Sequence, residues 1–63
     1  MPAMEVNNCY SPDQIESIGL IEKDIKDIQA SIYIKDHKVY FFESIDKERL
    51  RLYSIINERS FFL

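Results

Sequence analysis

Between Ile28 and Glu43 the chain reads IQASIYIKDHKVYFFE, and its apolar and polar positions alternate. Ala30, Ile32 and Ile34 fall on one side, Ser31 and Tyr33 on the other, the period of two that a pleated strand needs. After Lys35-Asp36-His37-Lys38, the polar break, Val39 and Phe41 fall on one side and Tyr40 and Phe42 on the other. β-Branched and aromatic residues suit a pleated surface. With Asp36-His37 as a two-residue loop, Ile34 faces Val39, Tyr33 faces Tyr40, and Ile32 faces Phe41. Asn-Gly and Asp-Gly, the strongest turn signals, are missing, but His37 tolerates a left-handed backbone. The hairpin then has two apolar faces. One is Ala30, Ile32, Ile34, Val39 and Phe41; the other is Tyr33, Tyr40 and Phe42 around Ser31. A lone two-stranded hairpin is marginal in water, so something must cover each face.

Helical spacing flanks this hairpin on both sides. Ser11-Pro12-Asp13-Gln14 is a helix start: Ser11 caps, Pro12 suits the first position, and Gln14 completes a capping box. Tyr10 and Ile15 occupy the two positions of a hydrophobic staple. Ile15, Ile18, Ile21, Ile25 and Ile28 then recur at three or four residues, one apolar stripe of a helix predicted over 12–27. Gly19 is costly inside a helix and marks either a close contact or a break after a short first helix. An alternative reads Ile18, Ile21, Ile25, Ile28 and Ile32 as an a/d seam, which makes the chain an all-α helical hairpin or coiled-coil oligomer. Ile32-Tyr33-Ile34 prefers a strand and argues against that alternative. After the hairpin, Ser44 or Asp46 can cap a second helix, predicted over 45–58. Ile45, Leu52, Tyr53, Ile55 and Ile56 share its apolar face by helical spacing.

The fold class that follows is α+β: helix, β-hairpin, helix, with both helices packed on the Ile32/Ile34/Val39/Phe41 face. Residues 1–10 read as a flexible N-terminal arm and 11–63 as a single α-β-β-α domain. The two helices cover one face, so the Tyr33, Tyr40 and Phe42 face is left over. Phe61, Phe62 and Leu63 at the end of the sequence are a second apolar feature, explained either by docking on the chain's own core or by anchoring in a partner. Together these six residues are the candidate protein interface.

Composition sharpens this in three ways. A chain of 63 residues buries only about 60% of its unfolded surface and needs a staple. Cys9 is the single cysteine and His37 the single histidine, so neither a disulfide nor a Cys/His zinc site can supply it. Association with a second copy is the staple that remains. No run approaches the roughly 18 apolar residues of a membrane span, and MPAMEVNN lacks the basic and apolar parts of a signal peptide. With one free thiol, the expectation is a cytoplasmic protein.

Candidate chemistry is sparse. His37 sits in a turn, and any Ser-His-acid triad would have to be built around it there. Gly19 is the one glycine, which excludes Gly-rich phosphate loops. No enzyme, cofactor, metal or small-molecule ligand is expected. The net charge of −3 divides into −4 over residues 1–34 and +1 over 35–63. Lys35, Lys38, Lys47 and Arg51 could form a basic edge beside the aromatic face, the arrangement that stacks and neutralises single-stranded nucleic acid. Asp36, Glu43, Asp46 and Glu48 interleave with them and favour a charge-balanced solvated face. The expected function is a small non-enzymatic interaction module, a regulator, adaptor or inhibitor acting as a homodimer or on a larger protein. A nucleic-acid-binding regulator is the alternative.

Overall fold

The computed structural model describes residues 4–61. Its elements run β1 (Cys9–Tyr10), α1 (Pro12–Ser17), β2 (Ile21–Lys23), β3 (Ser31–Lys35), β4 (Lys38–Asp46), β5 (Arg49–Asn57) and α2 (Glu58–Phe61). The strands form one antiparallel sheet in the order β1-β5-β4-β3-β2. The protein is therefore mostly β. Neither the helix–hairpin–helix arrangement nor the all-α alternative holds, because both predicted helices give way to strands.

The central hairpin has the expected register, with Ile34 opposite Val39, Tyr33 opposite Tyr40 and Ile32 opposite Phe41. Asp36 and His37 form its loop at φ 52° and 66°, the two positive values that match the twist of the flanking strands.

The first predicted helix begins as expected and stops early. Gln14 N donates to Ser11 Oγ at 3.1 Å, and Ser11 N donates to Gln14 Oε1 at 2.8 Å. The helix ends at Ser17 because Gly19, at φ 97°, closes a Schellman motif. Gly19 N donates to Glu16 O and Leu20 N to Ile15 O, which satisfies two terminal carbonyls. The isoleucine stripe is thereby split. Ile15 is buried and Ile18 half-buried on the helix, Ile21 pairs with Ile34 in the sheet, and Ile25 and Ile28 lie in the β2–β3 loop.

The second predicted helix, 45–58, is instead the end of β4, a loop and all of β5, and α2 begins only at Glu58. Lys47-Glu48 is that loop, with Asp46 opposite Arg49. The Asp46 carboxylate accepts from Glu48 N and Arg49 Nε, each at 2.9 Å. Residues that cap helices also close turns by the same side chain-to-backbone bonds, so Asp46 carried an ambiguous signal. β5 also hides its alternation. Phe42 pairs with Leu52 but Phe41 with Ser54, so Tyr53 is an extra residue in a bulge. Inward positions therefore run Leu50, Leu52, Ile55, and the step of three imitates a helix.

β1 and β2 are opposite edges of the sheet, so the segment carrying α1 must cross one face. It covers the Tyr33/Phe42 face. Ile15, Leu20, Tyr33, Phe42, Leu50 and Leu52 are buried together there, with Tyr10, Tyr40 and Ile55 packed against them. Phe42 meets Tyr33 edge-on at 5.4 Å. α2 lies on the other face, where Phe61 meets Phe41 at 5.4 Å. The helices thus take opposite faces instead of sharing one. Residues 7–10, read as an arm, lie along β5: Asn7 N donates to Leu52 O, and Leu52 N to Asn8 O.

Candidate functional site

Alternation assigns Ile21, Lys23, Ile32, Ile34, Val39, Phe41, Tyr53, Ser54 and Ile56 to the face opposite α1. Val39 and Ile32 at its centre are buried. Among the described residues its covering is small, a four-residue helix. Ile21 on β2 is 68% exposed and Tyr53 on β5 is 40% exposed. Phe41 lies half-buried between Tyr53, at 6.2 Å, and Phe61. Ile45, also exposed, follows at the far end of β4. The charges at that end are spent on neighbours: Arg51 Nε donates to Glu43 Oε1 at 3.0 Å and Nη1 to Asn7 Oδ1 at 2.9 Å. The result is an apolar strip across the sheet with a satisfied ion pair at one end.

The residues expected to form an interface are divided by the sheet. Tyr33 and Phe42 are buried under α1, with Tyr40 half-buried beside them. Phe61 is half-buried on the opposite face against Phe41. Phe62 and Leu63 lie outside the described residues. Burial, with the negative charges of Glu22 and Glu16 adding to it, raises the Tyr33 phenol above its usual 10.0. Tyr53 and Ile21 take the exposed role, beside the half-buried Phe41. The signal that could have found them is the alternation of Leu50-Arg51-Leu52-Tyr53, read with one bulge.

The four basic candidates do not converge. Lys35 and Lys38 flank the loop at one end of the sheet and Lys47 lies in the loop at the other. Eight residue steps of β4 separate the two loops, about 26 Å at strand rise. The Lys35 ammonium donates to Ile18 O at the end of α1, where a cation suits the unpaired carbonyls. Arg51 is held by Glu43 and Asn7.

Other chemical features are modest. His37 is solvent-exposed, and its ring meets Glu58 at 3.3 Å. Cys9 is exposed on edge strand β1. A cleft of about 440 Å³ lies between residues 4–10 and α1, but its polar groups are engaged. Gln14 serves the cap, Ser17 Oγ donates to Gln14 O, and Tyr10 Oη accepts from Glu5 N. Among the described residues, no group of His, Cys, Asp and Glu could hold a metal ion, and no helix is long and apolar enough to cross a membrane. No protein-family model, curated protein or solved structure gives a significant match to this chain.

Proposed function

We propose that this chain is a small non-enzymatic interaction protein, a regulator, adaptor or inhibitor that works by covering a surface of a larger protein. The contact surface is the sheet face opposite α1. One observation carries the reading: among the described residues, a five-stranded sheet with two apolar faces has a full cover on one and a single helical turn on the other. Antiparallel sheets commonly leave one face to water, but that face is then polar. Here it presents Ile21 and Tyr53 beside the half-buried Phe41. Aromatic and aliphatic side chains grouped at a surface, rimmed by charge, are what interface cores are made of. Dispersal of Lys35, Lys38, Lys47 and Arg51 weighs against a nucleic-acid role, which needs a continuous basic track. A lone exposed thiol fits a reducing compartment, and the proposal places the protein in the cytoplasm.

The test uses two immobilised forms, the native chain and an Ile21→Glu, Tyr53→Glu double variant. Both are exposed to soluble extract of the source cell, and bound proteins are quantified by mass spectrometry. The native chain should retain a defined protein that the variant loses, with the far-UV spectrum of the variant unchanged. Retention should survive 0.5 M salt, because an apolar contact responds weakly to ionic strength whereas phosphate contacts weaken steeply. Equal retention by both forms would refute this assignment of the face.

A further inference from the structure

The two edges of the sheet differ in a way that concerns self-association. β2 is a short edge built of Ile21, Glu22 and Lys23, followed by Asp24. In a twofold antiparallel pairing that keeps the sheet faces continuous, centring on Glu22 sets it against its own copy, and centring on Lys23 sets two lysines together. Charged residues on a short edge are a standard defence against such pairing.

At the opposite side β1 is the edge, but it covers only part of the longer β5. β1 and the residues before it reach Leu50, Arg51 and Leu52. Tyr53–Asn57, sequence YSIIN, extends beyond them without a charge. Among the described residues, no strand lies outside this stretch, the bonds from residues 7–10 end at Leu52, and the Asn57 carbonyl accepts the first bond of α2.

Strand geometry says which backbone groups are open. Lys35 and Lys38 close the two-residue hairpin, so the Lys38 amide and carbonyl face β3. Alternation turns those of Val39 and Phe41 toward β5, where they meet Ile56 and Ser54. The N–H and C=O of Ile55 and the N–H of Asn57 therefore point away from the sheet, while the Asn57 carbonyl is taken by the first turn of α2. The bonds of Leu52 to Asn7 and Asn8 fix the same phase independently, given the one-residue bulge at Tyr53.

We propose that Tyr53–Asn57 is a self-association edge, on which a second copy of this chain adds its own β5 in antiparallel order about a twofold axis at Ile55. Each Ile55 N–H then donates to the Ile55 carbonyl of the other copy. Ser54 falls opposite Ile56, and Tyr53 opposite Asn57. Every pair is uncharged, and the outward donor and acceptor of Ile55 in one copy match those of the other. The axis stands perpendicular to the sheet, so both apolar faces lie on the same side of a ten-stranded sheet. The pairing does not depend on what covers that face. The paired stretch is short, which puts the dimer among weak interfaces.

The test is backbone N-methylation of Ile55, introduced by chemical synthesis of the chain. It removes one outward donor and blocks the edge while leaving the side chain in its core contacts. Light scattering of the native chain should show dimer at concentrations approaching about 1 mM, a range suited to weak association. The N-methylated chain, with an unchanged far-UV spectrum, should dimerise roughly tenfold or more weakly, because both copies lose a hydrogen bond. Amide exchange at Ile55 and Asn57 should slow as the native chain is concentrated. A native chain still monomeric at that limit would overturn the edge, as would a folded N-methylated chain that dimerises equally well. If methylation prevents folding, concentration-independent exchange at both amides overturns it. Ile21→Glu separates the two ideas: it should weaken partner capture and leave the edge dimer intact. Loss of the dimer by Ile21→Glu and not by methylation would assign self-association to the face instead.

Discussion

Phe42→Ala tests which face of the hairpin is the core. Phe42 is fully buried, with Tyr33 edge-on at 5.4 Å and Tyr10 edge-on at 6.5 Å. Emptying such a site costs about 3–5 kcal/mol, and each well-placed aromatic pair lost belongs to the upper part of that range. A chain of this length has a total stability of about 3–9 kcal/mol at ordinary values per residue, with small domains toward the low end. Phe42→Ala should therefore remove most of the stability, and Phe42→Leu, which keeps much of the volume, should remove roughly 1–2 kcal/mol. Tyr53→Ala on the opposite face deletes a ring that is 40% exposed and should cost about 1 kcal/mol. Urea titration followed by far-UV circular dichroism gives the three values, at two protein concentrations so that association does not enter unnoticed. At an m value near 1 kcal/mol/M, Phe42→Leu should lower the midpoint by about 1–2 M. If Phe42→Ala keeps a cooperative transition within about 1 kcal/mol of the native chain and loses self-association instead, Phe42 faces a partner and the placement of α1 is refuted.

Three further outcomes follow from the backbone and the core. His37→Gly should stabilise by about 0.5–1 kcal/mol and raise Tm by several degrees, because glycine takes a left-handed loop position without strain and the exposed pair with Glu58 contributes little; calorimetry measures it. Gly19→Ala should destabilise by about 1 kcal/mol or more through its φ of 97°, since a Cβ there meets the Lys35 side chain only at an ordinary 3.5 Å; a urea midpoint at or above that of the native chain would contradict the Schellman closure. The Tyr33 phenol is raised above 10.0 by burial and by Glu22 and Glu16, so its stabilising contribution is complete below pH 10 and is lost as pH rises through the folded-state value. Stability should fall in that alkaline window for the native chain and fall less for Tyr33→Phe, as read by urea midpoints at stepped pH.

Local chemistry was legible where a signal belonged to one structure alone. The capping box at Ser11 and Gln14 has no reading except a helix start, and the helix starts there. Alternation through Ile32-Tyr33-Ile34 and Val39-Tyr40-Phe41 fixed the hairpin register to the residue. The errors fell where a signal had two readings. Isoleucines spaced by three and four describe a helix, but they also arise when a helix, a strand and a loop follow one another. Asp46 serves a turn as readily as a cap. The bulge at Tyr53 turned a period of two into an apparent helical step. Propensity favoured the strand throughout: Leu-Tyr-Ser-Ile-Ile is rich in aromatic and β-branched residues, and pairing with β4 rewarded it.

The candidate site was half legible, and the missing half is a matter of counting layers. Two apolar faces on the hairpin demanded two covers, and the sequence contained them. Which cover went where depended on connection geometry. β1 joins one edge of the sheet beside β5 and β2 joins the other beside β3. The segment between them has to cross the sheet, and Ile15 on that segment meets Phe42 and Tyr33. Had residues 12–27 formed one helix, no β2 would exist and no such crossing would be required. Gly19 therefore decides more than a helix end. By stopping α1 after six residues, it frees Ile21–Lys23 to extend the sheet and commits the tyrosine-rich face to the core. Among the described residues, the same choice leaves the Phe41/Tyr53 face with one turn of helix over it. Exposed apolar surface on this protein is thus a consequence of topology set at one glycine, and the Gly19→Ala variant should perturb the interaction face together with the core.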